Sequence, residues 1–98
     1  MKLINKETVY FDVDDTLVIW EGQQYRPHLK HINALKQHAL RGHFVVVWSA
    51  GGFDWAHRIV NELNLINYVD AVMSKPKWIY DDMDPNNWTT RIYIKEDK

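Results

Sequence analysis

Thr8-Val9-Tyr10-Phe11-Asp12-Val13-Asp14-Asp15-Thr16-Leu17 is the stretch on which the fold turns. Its first half has the β-branched and aromatic composition of a buried strand, predicted over Thr8 to Asp12. It closes on three carboxylates in four positions and a hydroxyl. Like charges crowded in this way repel one another unless something positive, normally a divalent cation, binds among them. A strand running out into an acidic loop puts that loop at the carboxyl edge of an α/β sheet, where such folds bind ligands.

Outward from this stretch, Leu17 to Trp20 and Tyr25-Arg26 flank a Gly22-containing turn and predict a small β-hairpin beside the acidic loop. Pro27 pre-sets a helix whose inner positions are Leu29, Ile32, Leu35, Ala39 and Leu40, with Gly42 ending it. Phe44 to Trp48 is continuously apolar, as a central parallel strand is, and stops at Ser49 before Ala50-Gly51-Gly52. Asp54 is the expected cap of a second helix with Trp55, Ala56, Ile59, Val60 and Leu63 inside. Three more strands are predicted, near Tyr68 to Met73, over Trp78 to Asp82 and over Arg91 to Ile94, before a charged tail. Strands alternating with helices imply a parallel sheet with right-handed crossovers. Asp12 to Thr16, Ser49 and the Asp81-Asp82 pair then share one sheet edge.

Composition narrows the functional classes. A chain of 98 residues without a Gly/Ser/Pro-rich linker is read as one domain, 1–98. Five Trp and five Tyr supply a core despite the short length. A net charge of -1 offers no footprint for duplex nucleic acid or an anionic membrane. With no cysteine, disulfides and thiolate metal sites are excluded. No signal-peptide core or bilayer-length apolar run is visible, so a soluble, cytoplasmic protein is the expectation.

In chain order, Asp12-x-Asp14-x-Thr16, a strand ending in Ser49, Lys75-Pro76 and Asp81-Asp82 resemble the four motifs of the haloacid dehalogenase (HAD) superfamily of phosphotransferases. The resemblance covers about Val9 to Asp82 and is nearest to very small capless members, including short phage-encoded ones. It implies a minimal Rossmann-like α/β domain: about five strands, mainly parallel, flanked by helices, with the hairpin as lid and no cap domain. The implied activity is Mg²⁺-dependent phosphomonoester hydrolysis, with Asp12 the nucleophile that forms an aspartyl phosphate and Asp14 the general acid/base. Mg²⁺ is then held by the Asp12 carboxylate, the Asp14 backbone carbonyl and the acidic pair, with Asp82 as the direct ligand and Asp81 second or water-bridged. Ser49 and Lys75 bind phosphate oxygens, and Thr16 braces the loop on the phosphate side. Family members place a helix between the lysine motif and the acidic pair. Here a handful of residues separate Lys75 from Asp81, and Lys77 is the rival lysine.

Other readings of the same residues are weaker or differ in substrate. An EF-hand counted from Asp12 needs Gly at its sixth position and Glu at its twelfth, where the chain has Leu17 and Gln23. His28 and His31 share a helix face without the spacing of a zinc helix motif and are read as solvated surface, as are His57 and Arg58. Trp20, Trp55, Trp78 and Trp88 are expected in or near the core, with one or two rimming the site to stack on a base or sugar ring. The substrate is a small phosphorylated molecule, with a homo-oligomeric neighbour supplying the missing lid. Alternatively it is an exposed phosphate on a nucleic-acid end or a phosphoprotein. A non-catalytic binding or regulatory module on the same fold is the reading from another class.

Overall fold

Strand β1, Thr8–Asp12, pairs in parallel with β4, Phe44–Ser49, and β4 pairs in parallel with β5, Ala71–Ser74. The computed structural model describes residues 6–96; the chain start and the last two residues of the charged tail lie outside that range. Between β1 and β4 come the antiparallel hairpin of β2, Val18–Glu21, and β3, Gln24–Pro27, and then helix α1, Leu29–Leu40. Helix α2, Phe53–Glu62, connects β4 to β5. The sheet order β1-β4-β5 steps in one direction, so two right-handed crossovers leave both helices on one face. The core agrees: Phe11, Val45 and Val47 from that face pack with Ile32 and Leu35 of α1 and Ala56, Ile59 and Val60 of α2. Among the described residues no helix covers the opposite face, where the Tyr10 and Trp48 rings pack at 4.3 Å and Phe44 and Met73 remain exposed.

The helix ends differ from the expectation in instructive ways. Pro27 closes β3 rather than opening α1, and His28 is the cap, its ring nitrogen accepting the His31 amide at 3.3 Å. Leu29 and Leu40 point to solvent, and the inner stripe of α1 runs through His28, His31, Ile32 and Leu35. Gly42, at φ 84, donates its N–H to the Ala39 carbonyl and ends α1 as expected. Helix α2 is capped two residues earlier than expected, at Gly52, whose φ of 104 and ψ of 168 suit glycine alone, so Asp54 falls in the first turn.

Among the described residues the sheet has three parallel strands, where about five were expected. Trp78 to Asp82 is exposed and irregular, with Tyr80 97% exposed. Only three residues separate Ser74 from Trp78, and a parallel strand needs a crossover of about a dozen or more to return to the starting edge. Arg91 to Ile94 is also irregular. It runs beside the free edge of β1 across a gap of about 420 Å³, with Ile92 and Ile94 on one wall and Val9 and Phe11 on the other. Trp78 and Trp88, expected in the core, are exposed. Among the described residues no helix is long and apolar enough to cross a membrane.

Gly52 has open space around its Cα, so an added methyl group meets nothing and its penalty is purely one of backbone conformation. Gly52→Ala is expected to destabilise the fold by roughly 1–3 kcal/mol, seen as a lower urea midpoint at unchanged slope.

Candidate active site

The acidic loop is wound on one atom. The amides of Thr16, Leu17 and Val18 all donate to the Val13 carbonyl, at 3.2, 2.9 and 3.1 Å. Val13 is fully buried, whereas its neighbours Asp12 and Asp14 are both half-buried and line the same cleft. Asp15 takes a left-handed conformation at φ 56, and its carboxylate accepts the Trp20 amide at 3.2 Å. Asp15 is therefore a turn residue whose side chain closes the loop.

Asp14 is held by two indoles. Its Oδ1 accepts Trp20 Nε1 at 2.9 Å and Trp55 Nε1 at 3.3 Å, while Oδ2 faces the Ser49 hydroxyl at 3.5 Å. Trp20 comes from the hairpin and Trp55 from α2; their rings stack at 6.2 Å, and Tyr25, opposite Trp20 in the hairpin, meets both edge-on. The Tyr25 hydroxyl also donates to Glu62 of α2 at 2.6 Å. That bond, followed by Arg58, holds the Glu62 carboxyl below its ordinary range. The hairpin is thus docked on α2 rather than standing free as a lid.

Ser49 is fully buried and acts through both of its oxygens. Its hydroxyl accepts the Gly51 amide at 3.0 Å, and its carbonyl accepts the amides of Gly52 at 3.1 Å and Lys75 at 2.8 Å. The β4 loop therefore positions the lysine loop directly. Asp12, Asp14, Asp15, Thr16 and Lys75 line a single cleft of about 560 Å³, together with Arg91 from the C-terminal segment. Lys77 is not among its walls, which leaves Lys75 as the lysine of the cleft.

The acidic pair does not join them. Asp81 and Asp82 lie on the exposed segment, where Asp81 accepts the Met83 amide at 3.0 Å. Among the described residues no group of three or more His, Asp or Glu side chains is arranged to hold a metal. The Asp12 carboxylate and Asp14 carbonyl are oxygen donors suited to Mg²⁺, but the donor set in place is incomplete. No family model, curated protein or solved structure matches the chain.

Two residues read as solvated surface belong to this site's support. His28 and His31 are 0% and 3% exposed and stack at 3.9 Å. His31 Nε2 accepts the Ile94 amide at 2.8 Å, which puts the ring proton on Nδ1, where it is donated to the Thr16 carbonyl at 2.7 Å. The usable signal was positional: residues 28, 31, 32 and 35 are spaced as the inner stripe of a helix. Trp20 and Trp55 were expected in or near the core, with one or two tryptophans rimming the site; their bonds to Asp14 depend on the meeting of two elements.

Burial, and then the neighbouring His28, pushes the His31 ring below the usual histidine value of 6.5. The unfolded chain therefore binds a proton more readily, so stability from neutral His31 is complete above about pH 6.5 and is lost as pH falls below it. His38 is shifted the same way, chiefly by burial. Urea midpoints at pH 7.5 and 5.5 are expected to drop on acidification, and to drop less in His31→Gln. An identical drop in the variant refutes His31 as the titrating group.

Proposed function

We propose that the chain is a HAD-like phosphomonoester hydrolase working through an aspartyl phosphate on Asp12. The observation that carries this reading is the common cleft of Asp12, Asp14, Thr16 and Lys75 at the carboxyl end of β1. An Asp12 oxygen attacks phosphorus, the bond to the leaving oxygen breaks, and Asp14 donates the proton that oxygen needs. Water then attacks the phosphoaspartate, losing a proton to Asp14 and releasing phosphate from Asp12. With Oδ1 of Asp14 already accepting two indole N–H groups, Oδ2 is the oxygen that carries the proton. The Lys75 ammonium stabilises charge on the transferring oxygens, and Ser49 serves by positioning the Lys75 loop.

Mg²⁺ belongs to this proposal as the cation the acidic loop calls for, with Asp12 and the Asp14 carbonyl as its ligands from that loop. Asp81 and Asp82 stand outside the cleft, and no step above is routed through the metal.

Asp12→Asn is expected to abolish turnover of an aryl phosphate while leaving the thermal midpoint within a few degrees; full activity in this variant refutes the nucleophile. Chelation is expected to stop turnover and added Mg²⁺ to restore it, whereas activity persisting in chelator removes the metal from the proposal. Because the Trp20 and Trp55 indoles lie on the Asp14 side chain of the same loop, binding of Mg²⁺ to that loop is expected to change tryptophan fluorescence, a response absent in Asp12→Ala, which lacks the carboxylate ligand.

A further inference from the structure

The C-terminal segment is pinned rather than paired. The Ile94 amide is taken by His31 Nε2 at 2.8 Å, and the Ile94 carbonyl accepts His28 Nε2 at 3.0 Å. The Tyr93 ring meets both imidazoles edge-on, at 5.9 and 5.1 Å. Beyond it, Glu96 pairs with Arg26 at 2.9 Å. Residues 94–96 are therefore clamped to the start of α1 and the end of β3.

Three residues before that clamp, Arg91 lines the cleft that holds Asp12, Asp14 and Lys75. Among the described residues neither Arg91 nor Lys75 forms an ion pair; each lies 5.9 Å from an aromatic ring, Tyr93 and Trp48 respectively. Two uncommitted cations on the walls of one acidic cleft are poised for an anion between them, and a guanidinium suits the paired oxygens of a phosphate. His31 links the two sides, because one nitrogen holds the Thr16 carbonyl of the acidic loop and the other holds the strap.

We propose that Arg91 is a substrate-binding residue for the phosphate dianion, carried into the cleft by the strap, and that His31 is the positioning residue that sets the strap against the acidic loop. The assignment rests on the phosphatase reading only for its kinetic arm. It extends that reading by making phosphate recognition bipartite, Lys75 from the sheet edge and Arg91 from the strap.

The test measures binding of inorganic phosphate by calorimetry and turnover of an aryl phosphate, in the full chain with Mg²⁺. Arg91→Ala is expected to weaken phosphate binding and raise KM about tenfold or more, with kcat changed far less and Arg91→Lys recovering part of the loss. Loosening the strap with His31→Ala, or with Glu96→Ala if the first does not fold, is expected to raise KM likewise. Combined with Arg91→Ala, either change is expected to add little, because both remove one interaction. Unchanged phosphate affinity and KM in Arg91→Ala overturn the assignment while leaving the hydrolase standing. Full additivity in the double variants overturns the positioning role. If wild-type turnover is absent, the hydrolase falls, but weaker phosphate binding in Arg91→Ala still upholds the site.

Discussion

Everything at the site depends on the Val13 carbonyl. Three amides converge on it within a turn of a few residues, and the valine that carries it is sealed in the core. An amide left unpaired in so tight a turn would be penalised by its lost hydration, so the loop has little freedom to open. With Val13 buried, its half-buried neighbours Asp12 and Asp14 line the same cleft. Asp15 absorbs the bend in a left-handed conformation that aspartate tolerates better than most residues. Two stacked indoles, one from the hairpin and one from α2, then fix Asp14.

The sheet is narrow and covered on one face only, and this shapes the rest of the chain. Its two crossovers step the same way, so both helices share one layer. After β5 the described residues form no further α-helix with which to return, and the chain passes into exposed structure that is irregular apart from one 3-10 turn, Pro85–Asn87. It comes back as a strap whose backbone groups are satisfied by imidazoles instead of by a strand ladder. Each such bond contributes about 1 kcal/mol net, so the strap is held by a few local contacts while the core is held by burial.

Buried histidines make this arrangement possible. A neutral imidazole offers one donor and one acceptor on opposite sides of a flat ring. His31 uses both, bridging the Thr16 carbonyl and the Ile94 amide, a task that no aliphatic residue on the same helical stripe can perform. The price of desolvating the ring appears as its depressed proton affinity.

What the sequence determined by itself was the local grammar. The strand Thr8–Asp12, the hairpin, the apolar β4, the glycine stop at Gly42 and the inner face of α2 were all legible, because period and turn chemistry act over a few neighbouring residues. The acidic loop and Ser49 were legible at one sheet edge for a similar reason, since parallel strand ends share an edge; Lys75 was expected from the family resemblance alone, and it lines the same cleft as the acidic loop. Only the tertiary structure decided the fate of Trp78–Asp82, which reads as a strand but has too short a lead to reach an edge. It also decided the burial of His28 and His31: their spacing places them on the inner stripe of α1, but the segment that satisfies their ring nitrogens arrives from more than sixty residues away. Trp20, Trp55 and Arg91 became site residues in the same way. Their roles arise from contacts between distant segments, and those exist only once the core has brought the segments together.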